Sequence, residues 1–192
     1  PSSFVQLKGS DCVKTERPKT RPCLAIGGLP LDVIESHPTI RAALNAGYVE
    51  LRLDMLPELS ATQREQLFRA LSPDRLIITY RHPSEGGARA IPEADRLDIL
   101  AHAIRQNVAF VDLELAFADG APILLTTRSA SGSKTKIILS RHYFGSTPDG
   151  LRTLPGQMRA AGADIAKVAC RCLSQTDNLL LFDCLQAADL PT

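Results

Sequence analysis

Short apolar segments alternate with amphipathic segments along most of this chain, and this alternation restricts its fold more than any other feature. Segments with the composition of buried strands cover residues 21–28, 48–55, 75–81, 110–115, 135–142 and 164–170. Helical patterns lie between them at 61–71, 93–106, 121–128, 151–161 and 176–188, and one earlier helix is predicted to end near Gly47, where glycine suits a left-handed cap. Strands that alternate with helices predict βαβ units and a parallel sheet.

Two architectures fit such a pattern, an open doubly wound sheet and a closed (β/α)8 barrel. An open sheet concentrates its site at one switch point, whereas a barrel collects side chains from the carboxyl ends of many strands. Charged or titratable residues recur at or near the ends of most of the predicted strands, with Arg81, Glu114 and His142 as examples. This distribution favours the (β/α)8 TIM barrel. The buried Arg and Glu cluster that it implies has either a structural or a functional role, and Asp54 and Asp112 fit both.

Lys167 lies in the middle of the apolar segment 164–170. A cation there must reach water or occupy a pocket that disfavours its charge, and a desolvated lysine amine is the nucleophile of Schiff-base chemistry. We expect burial and the nearby cations Arg52 and Arg81 to lower the pKa of Lys167 from about 10.4 towards about 7 to 8. The structural alternative is a lysine that only pairs with a carboxylate.

The number of repeats is smaller than a complete barrel requires. Six strand-helix units occupy residues 21–192, whereas eight units of this size would need about 230 residues. The chain also begins with Pro1 rather than Met. We therefore expect an excerpt or a barrel that lacks its last two units, with a natural degenerate domain as the second explanation. Residues 1–20 are predicted to form a polar tail or hairpin, and 21–192 one domain.

Composition argues against several function classes. Lys and Arg total 22 and Asp and Glu total 21, so a net charge of +1 provides no broad basic field for nucleic acid or an anionic membrane. No apolar segment approaches the length of a membrane span, and no signal-peptide pattern opens the chain, so we expect a soluble, cytoplasmic protein. The five cysteines lack paired metal spacing and are predicted to be reduced thiols. The sequence does not determine the oligomeric state, although a homodimer could cover exposed barrel edges.

Five segments, taken together and in order, resemble the type I 3-dehydroquinate dehydratases. They are VELRLD at 49–54, ITYRHPSEGG at 78–87, FVDLE at 110–114, LSRHYF at 139–144 followed by Thr147-Pro148, and GADIAKVA at 162–169. Each segment is weak evidence alone, but five in register make the resemblance specific. The resemblance implies a (β/α)8 barrel that dehydrates 3-dehydroquinate to 3-dehydroshikimate through an imine, without a metal or an organic cofactor.

The resemblance also implies roles for particular residues. Lys167 is similar to the Schiff-base lysine, His142 to the general acid and base, and Glu85 to the carboxylate that positions the histidine. The residues similar to those that hold the substrate are Glu50, Arg52 and Arg81. The glycines Gly86 and Gly87 are expected to let the loop beside the site turn sharply. His82 departs from the small hydroxyl residue often found in the family, which affects local packing more than chemistry.

The end of the chain is the larger departure. In the family, the seventh and eighth units supply an arginine for the substrate carboxylate and a mobile loop that closes the site, and this sequence ends at Thr192 before either. We therefore expect these 192 residues to be weakly active or inactive on their own. The main alternative function is a metabolite-sensing domain like that of quinate-pathway repressors. A Schiff-base aldolase barrel fits the lysine but not the register of the five segments.

Overall fold

The computed structural model describes residues 21–188, and within that range it contains six β-strands and seven α-helices. The strands are β1 Cys23–Ile26, β2 Tyr48–Arg52, β3 Leu76–Thr79, β4 Phe110–Glu114, β5 Lys136–Tyr143 and β6 Ile165–Cys170. The helices are α1 Leu31–Ser36, α2 Pro38–Ala46, α3 Ala61–Ala70, α4 Glu93–Arg105, α5 Ala121–Ser131, α6 Leu154–Ala160 and α7 Gln175–Ala187. The predicted tail or hairpin at 1–20 lies outside the described residues.

All six strands are parallel and pair in sequence order, from β1 to β6. A doubly wound sheet reverses its strand order at a switch point, and this sheet has no reversal, so the open doubly wound alternative is wrong. Each connection carries one or two helices, as βαβ units require. The prediction of alternating strands and helices in a parallel α/β fold is therefore confirmed.

The sheet is strongly curled. Nζ of Lys167 on β6 lies 3.4 Å from Oε2 of Glu50 on β2. These strands are four positions apart, so in a flat sheet with a spacing of about 4.8 Å their backbones would be separated by about 19 Å. Only a curled sheet brings side chains of β2 and β6 into contact, and the concave face is the one that carries the charged residues.

The two faces of the sheet differ sharply in chemistry because side chains alternate along each strand. Leu51, Ile78, Val111, Leu113 and Leu139 point to the convex face, where they are fully buried in the hydrophobic core beneath the helices. The residues between them point to the concave face. This alternation places the apolar core on one side of the sheet and the candidate site on the other.

Two local predictions near the first helix are wrong. The single helix predicted before Gly47 is divided, because Pro38 begins α2 and Nδ1 of His37 accepts a hydrogen bond from the Thr39 N–H as its N-cap. Gly47 has an extended φ of −167° instead of a left-handed one. A Cβ at this position would lie 2.0 Å from the carbonyl oxygen of Pro22, so glycine is needed for space at the start of the β1–β2 pair.

The strands end earlier than predicted where short 3-10 turns take over. Strand β2 ends at Arg52 and is followed by the turn Leu53–Met55, and β3 ends at Thr79 shortly before the turn Pro83–Glu85. These turns redirect the chain at the carboxyl end of the sheet. They place Asp54 and Glu85 back over the concave face.

Residues 21–188 provide observations on membrane spans, cysteines and metal sites, which composition had addressed. No helix in this range is both long and apolar enough to span a bilayer. Cys23, Cys170, Cys172 and Cys184 are free thiols, as predicted, whereas Cys12 lies outside the described residues. No group of three or more His, Cys, Asp or Glu side chains in the same range is arranged to hold a metal ion.

A buried network of charges stabilises the carboxyl end of the sheet. Glu114 is fully buried at the end of β4, where it accepts hydrogen bonds from Arg81 Nη1 at 3.1 Å and from Arg96 Nη1 of α4. Its Oε1 also accepts the His82 N–H at 2.9 Å. Such charges are tolerated in an interior because each is paired, and removal of one partner leaves the others uncompensated.

We predict that Glu114→Ala lowers the free energy of unfolding by about 3–5 kcal/mol, since it removes the carboxylate shared by two buried guanidinium groups. Urea unfolding followed by circular dichroism measures this change. The control is Glu65→Ala, which removes an i,i+4 ion pair with Arg69 on the surface of α3 and should cost less than about 0.5 kcal/mol. Equal losses for the two variants would contradict a structural role for the buried network.

Candidate active site

The concave face brings Lys167 into contact with two carboxylates from other strands. Its Nζ lies 3.0 Å from Oδ2 of Asp112 on β4 and 3.4 Å from Oε2 of Glu50 on β2. Thr79 on β3 donates its hydroxyl to Oε1 of Glu50 at 2.7 Å, which orients that carboxylate. Residues of β2, β3 and β4 therefore position the two carboxylates that contact the Lys167 amine on β6.

Arg81 and Ser140 complete this cluster around Asp112. Arg81 donates from Nη2 to Asp112 Oδ2 at 3.0 Å and from Nη1 to the Ser140 hydroxyl at 2.6 Å, and Ser140 donates to Asp112 Oδ1 at 2.6 Å. Arg81 is only 2% exposed. Its guanidinium group is thus occupied by the network and by Glu114.

The cluster determines the charge state of Lys167, and the predicted direction of its pKa shift is wrong. Burial by itself lowers the pKa of Lys167, but the carboxylates of Asp112 and Glu50 outweigh both burial and the repulsion from Arg81, so the pKa is raised. The other cation expected to lower it, Arg52, is engaged in an ion pair with Asp54. The resting amine is therefore an ammonium group that must lose a proton before it can act as a nucleophile.

Asp112 is the carboxylate on which this arrangement depends. It is completely buried, and burial alone would raise its pKa, but Lys167, Arg81 and the Ser140 hydroxyl hold the pKa at about 2. Asp112 is therefore ionised throughout the physiological range. A carboxylate this acidic is a weak proton acceptor, so its role towards Lys167 is electrostatic.

A second group forms at the end of β5. Oε2 of Glu85 accepts the backbone N–H of His142 at 2.9 Å and lies 3.0 Å from its Nδ1, while Oε1 accepts from Arg141 at 3.1 Å. Glu85 is 4% exposed, so these contacts determine both its position and the orientation of the imidazole. A carboxylate on Nδ1 leaves Nε2 of the ring to exchange protons with another group.

The loop that carries Glu85 depends on its glycines, as predicted. Gly86 has a φ of +85°, a left-handed conformation, and a Cβ at Gly87 would lie 1.9 Å from the carbonyl oxygen of Arg81. His82 fixes the start of the loop, because its Nδ1 accepts the Ser84 N–H at 3.2 Å. The loop can fold over the end of β3 only with this backbone geometry.

Arg52 and Asp54 lie at the rim of the site. Arg52 donates from Nε and Nη2 to the two oxygens of Asp54 at 3.0 and 2.9 Å, and also from Nη2 to the Gly86 carbonyl at 3.1 Å. Asp54 is 1% exposed and accepts the N–H groups of Arg81 and Ala88 as well. Asp54 thus has a structural function, since it ties the turn after β2 to the loop after β3.

Strand register places Lys167 and His142 on the same face of the sheet. Lys167 pairs with Ser140, and His142 lies two residues further along β5, so all three side chains point to the concave side. Two residues correspond to about 7 Å along a strand. The lysine and the imidazole therefore lie at successive levels of the concave face, with His142 nearer the carboxyl ends of the strands.

Comparisons with known proteins identify the family. A profile of the family described as type I 3-dehydroquinase matches residues 29–191, which is most of the chain. The chain belongs to this family. A relative from Desulfotalea psychrophila named 3-dehydroquinate dehydratase is 37% identical over 164 residues, which cover 79% of this chain and 69% of the relative.

Two further family members show how much of their own length this chain matches. The bifunctional 3-dehydroquinate dehydratase/shikimate dehydrogenase of Arabidopsis thaliana chloroplasts is 27% identical over 100% of this chain but only 31% of its own length. The solved structure of 3-dehydroquinate dehydratase from Enterococcus faecalis superposes with a TM-score of 0.76 and 25% identity, covering 89% of this chain and 76% of the other. The curled parallel sheet is therefore a dehydroquinase fold.

All six residues predicted for the site lie on the concave face or on the loops at its carboxyl end. Lys167 and Glu50 are in contact, and His142 is in contact with Glu85, whereas Arg81 is deeply buried and Arg52 lies at the rim. The role of Asp112 was left open between structure and function, and Ser140 was not predicted as a site residue. The alternation along β4 and β5 already placed them on the concave face, but pairing with Lys167 depends on contacts between strands.

We predict that Asp112→Asn lowers the pKa of Lys167, because it removes the nearest negative charge while preserving side-chain size. Heteronuclear NMR titration of labelled lysine side chains measures this pKa directly. The lower pKa leaves more neutral amine at pH 7–8 than in the unmodified protein. The control is Asp74→Asn, which alters an exposed pair with Arg75. An unchanged Lys167 titration in Asp112→Asn would contradict the assigned electrostatic role.

Proposed function

We propose that this protein acts on the small molecule 3-dehydroquinate and dehydrates it to 3-dehydroshikimate through an imine with Lys167. The observation that carries this proposal is the position of Lys167 and the Glu85–His142 pair at successive levels of one concave face. Family membership adds the substrate, because the Desulfotalea psychrophila relative is named for this reaction. Neither a metal nor an organic cofactor takes part in the proposed steps.

The first chemical step is formation of the imine. After Lys167 loses a proton, its amine attacks the substrate carbonyl carbon, and loss of water from the resulting carbinolamine gives the C=N bond. The nitrogen of an iminium retains a positive charge. The carboxylates of Asp112 and Glu50, which stabilise the ammonium group at 3.0 and 3.4 Å, are placed to stabilise that charge as well.

His142 then moves two protons. It removes a proton from the carbon beside the iminium, which accepts the electron pair, and it returns a proton to the departing hydroxyl group so that water leaves. Glu85 positions the ring through Nδ1 and through the backbone N–H of the same residue. Hydrolysis of the imine releases the product and regenerates Lys167, so the net change is loss of one water molecule.

Glu50, Arg52 and Arg81 are proposed to hold the substrate. Glu50 and Arg52 are half-buried on the concave face, where they can reach hydroxyl groups of a bound ring. Arg81 is different because its guanidinium group already donates to Asp112, Glu114 and Ser140. Direct contact between Arg81 and the substrate would require it to give up one of these hydrogen bonds.

We also propose that the six strands correspond to six of the eight units of a (β/α)8 barrel, with residues 21–192 as one domain. Sequential pairing of all six parallel strands and the contact between β2 and β6 support this assignment. The similarity to the Enterococcus faecalis structure, which extends over 76% of that chain, agrees with it.

We predict that borohydride reduction in the presence of 3-dehydroquinate adds substrate mass to the protein at Lys167 and that Lys167→Ala abolishes the adduct. Intact-mass spectrometry with peptide mapping locates the modification. The control is Lys136→Ala, which removes the exposed lysine at the first position of β5. Product formation by Lys167→Ala at the rate of the unmodified protein would contradict the imine mechanism. Binding of 3-dehydroquinate to the unmodified protein without any adduct would favour the metabolite-sensing alternative.

For His142→Ala we expect that the borohydride adduct still forms but that kcat falls by about 10²–10⁴-fold, because imine formation needs Lys167 whereas the proton transfers need the imidazole. Product absorbance gives kcat, and intact mass gives the extent of the adduct. The matched control is His102→Ala on α4, outside the site. Loss of the adduct together with turnover would instead assign His142 to the imine-forming step.

A further inference from the structure

A cavity of about 310 Å³ lies on the opposite, convex side of the sheet. It is partly open to solvent and is lined by α3, α4 and the segments that follow β2 and β3. Its apolar lining includes Leu53, Leu59, Ile91 and Ile99, and Tyr80 forms part of the floor. This volume is at the lower end of the range for small-molecule sites, so only a compact ligand fits.

Two arginines supply positive charge to this cavity. Arg64 donates from Nη1 to the Leu59 carbonyl at 2.5 Å, but its Nε is buried and has no hydrogen-bond partner within residues 21–188. Burial lowers the pKa of Arg64, and Asp98 offsets this only in part. Arg89, the second arginine, donates to the Leu56 carbonyl at 2.8 Å. Both guanidinium groups line the cavity, so an anionic group bound there would accept charge-assisted hydrogen bonds from them.

Three carboxylates line the same cavity, and all three belong to exposed residues. Asp95 and Asp98 lie one turn apart on α4, and Glu58 lies in the segment before α3. Asp98 is also 3.5 Å from Arg105, at the limit of a hydrogen bond. A ligand with only negative charge would be repelled by these carboxylates, and one with only positive charge by the arginines. A ligand with both charges satisfies both groups.

We propose that this cavity is a second ligand site, which binds a compact zwitterion of the α-amino acid class with an apolar side chain. The ligand carboxylate accepts from Arg64 and Arg89, its ammonium group faces Asp95 and Glu58, and its side chain packs on the apolar lining. The inference does not rest on the proposed catalytic function, since none of these residues takes part in the imine chemistry.

The position of the cavity connects it to the catalytic face. Leu53 and Tyr80 line it from the convex side, while their chain neighbours Asp54 and Arg81 lie on the concave side, where Asp54 accepts the Arg81 N–H. Arg89 follows Ala88, whose N–H donates to Asp54 at 2.9 Å. A ligand bound to Arg89 would therefore contact the same loop that carries Glu85.

The test is isothermal titration calorimetry of the full chain with L-leucine and two analogues that each lack one charge. L-leucine should bind saturably, whereas leucinamide, without a carboxylate, and 4-methylpentanoate, without an ammonium group, should each bind at least about tenfold more weakly. Equal binding of 4-methylpentanoate and leucine would overturn the zwitterion assignment in favour of a simple anion site. The absence of saturable leucine binding would overturn the site itself.

Variants locate the binding on the protein. Arg64→Gln and Asp95→Asn should each weaken leucine binding by about tenfold, whereas Arg69→Gln, an exposed arginine on α3 outside the cavity, should leave the Kd unchanged. Asp95 is exposed, so Asp95→Asn remains informative if Arg64→Gln fails to fold. Leucine affinities that match the unmodified protein in folded Arg64→Gln or in Asp95→Asn would overturn the proposal.

Discussion

The carboxyl end of the sheet depends on the pairing of Arg81 with the carboxylates of Asp112 and Glu114. All three side chains are almost completely buried, and each of these charges alone would be costly in a protein interior. Arg81, two residues after β3, pairs with both carboxylates of β4 and with Ser140 of β5, which makes burial tolerable. The same hydrogen bonds connect three adjacent strands at the level where the candidate site lies.

This network extends directly into the candidate site, so stability and chemistry share one set of residues. Asp112 stabilises both Arg81 and Lys167, and Glu114 connects Arg81 to Arg96 of α4. As a result, the amine of Lys167 rests as an ammonium group held by carboxylates. The electrostatic environment fits a cationic iminium better than a neutral amine, and it makes loss of the proton a separate step before attack.

At the same strand ends, the convex face carries a different set of side chains from the concave face. Alternation directs Leu53 and Tyr80 away from the concave face into a cavity that Arg64 and Arg89 also line. Asp54 lies between the two surfaces, because it holds Arg52 on the concave side and the Ala88 N–H of the loop that continues to Arg89. One layer of backbone therefore separates the proposed catalytic site from the proposed second site.

The amino-acid sequence by itself determined the order of strands and helices, the face of each strand that carries charge, and the six candidate residues, because these depend on local periodicity and on five recognisable segments. The break at Pro38, the spatial need for Gly47 and the raised pKa of Lys167 were decided only in the tertiary structure. Lys167 gives the reason most clearly. Its pKa depends on which charges lie within a few ångströms, and Asp112 and Glu50 reach it from strands that are 55 and 117 residues away in the chain.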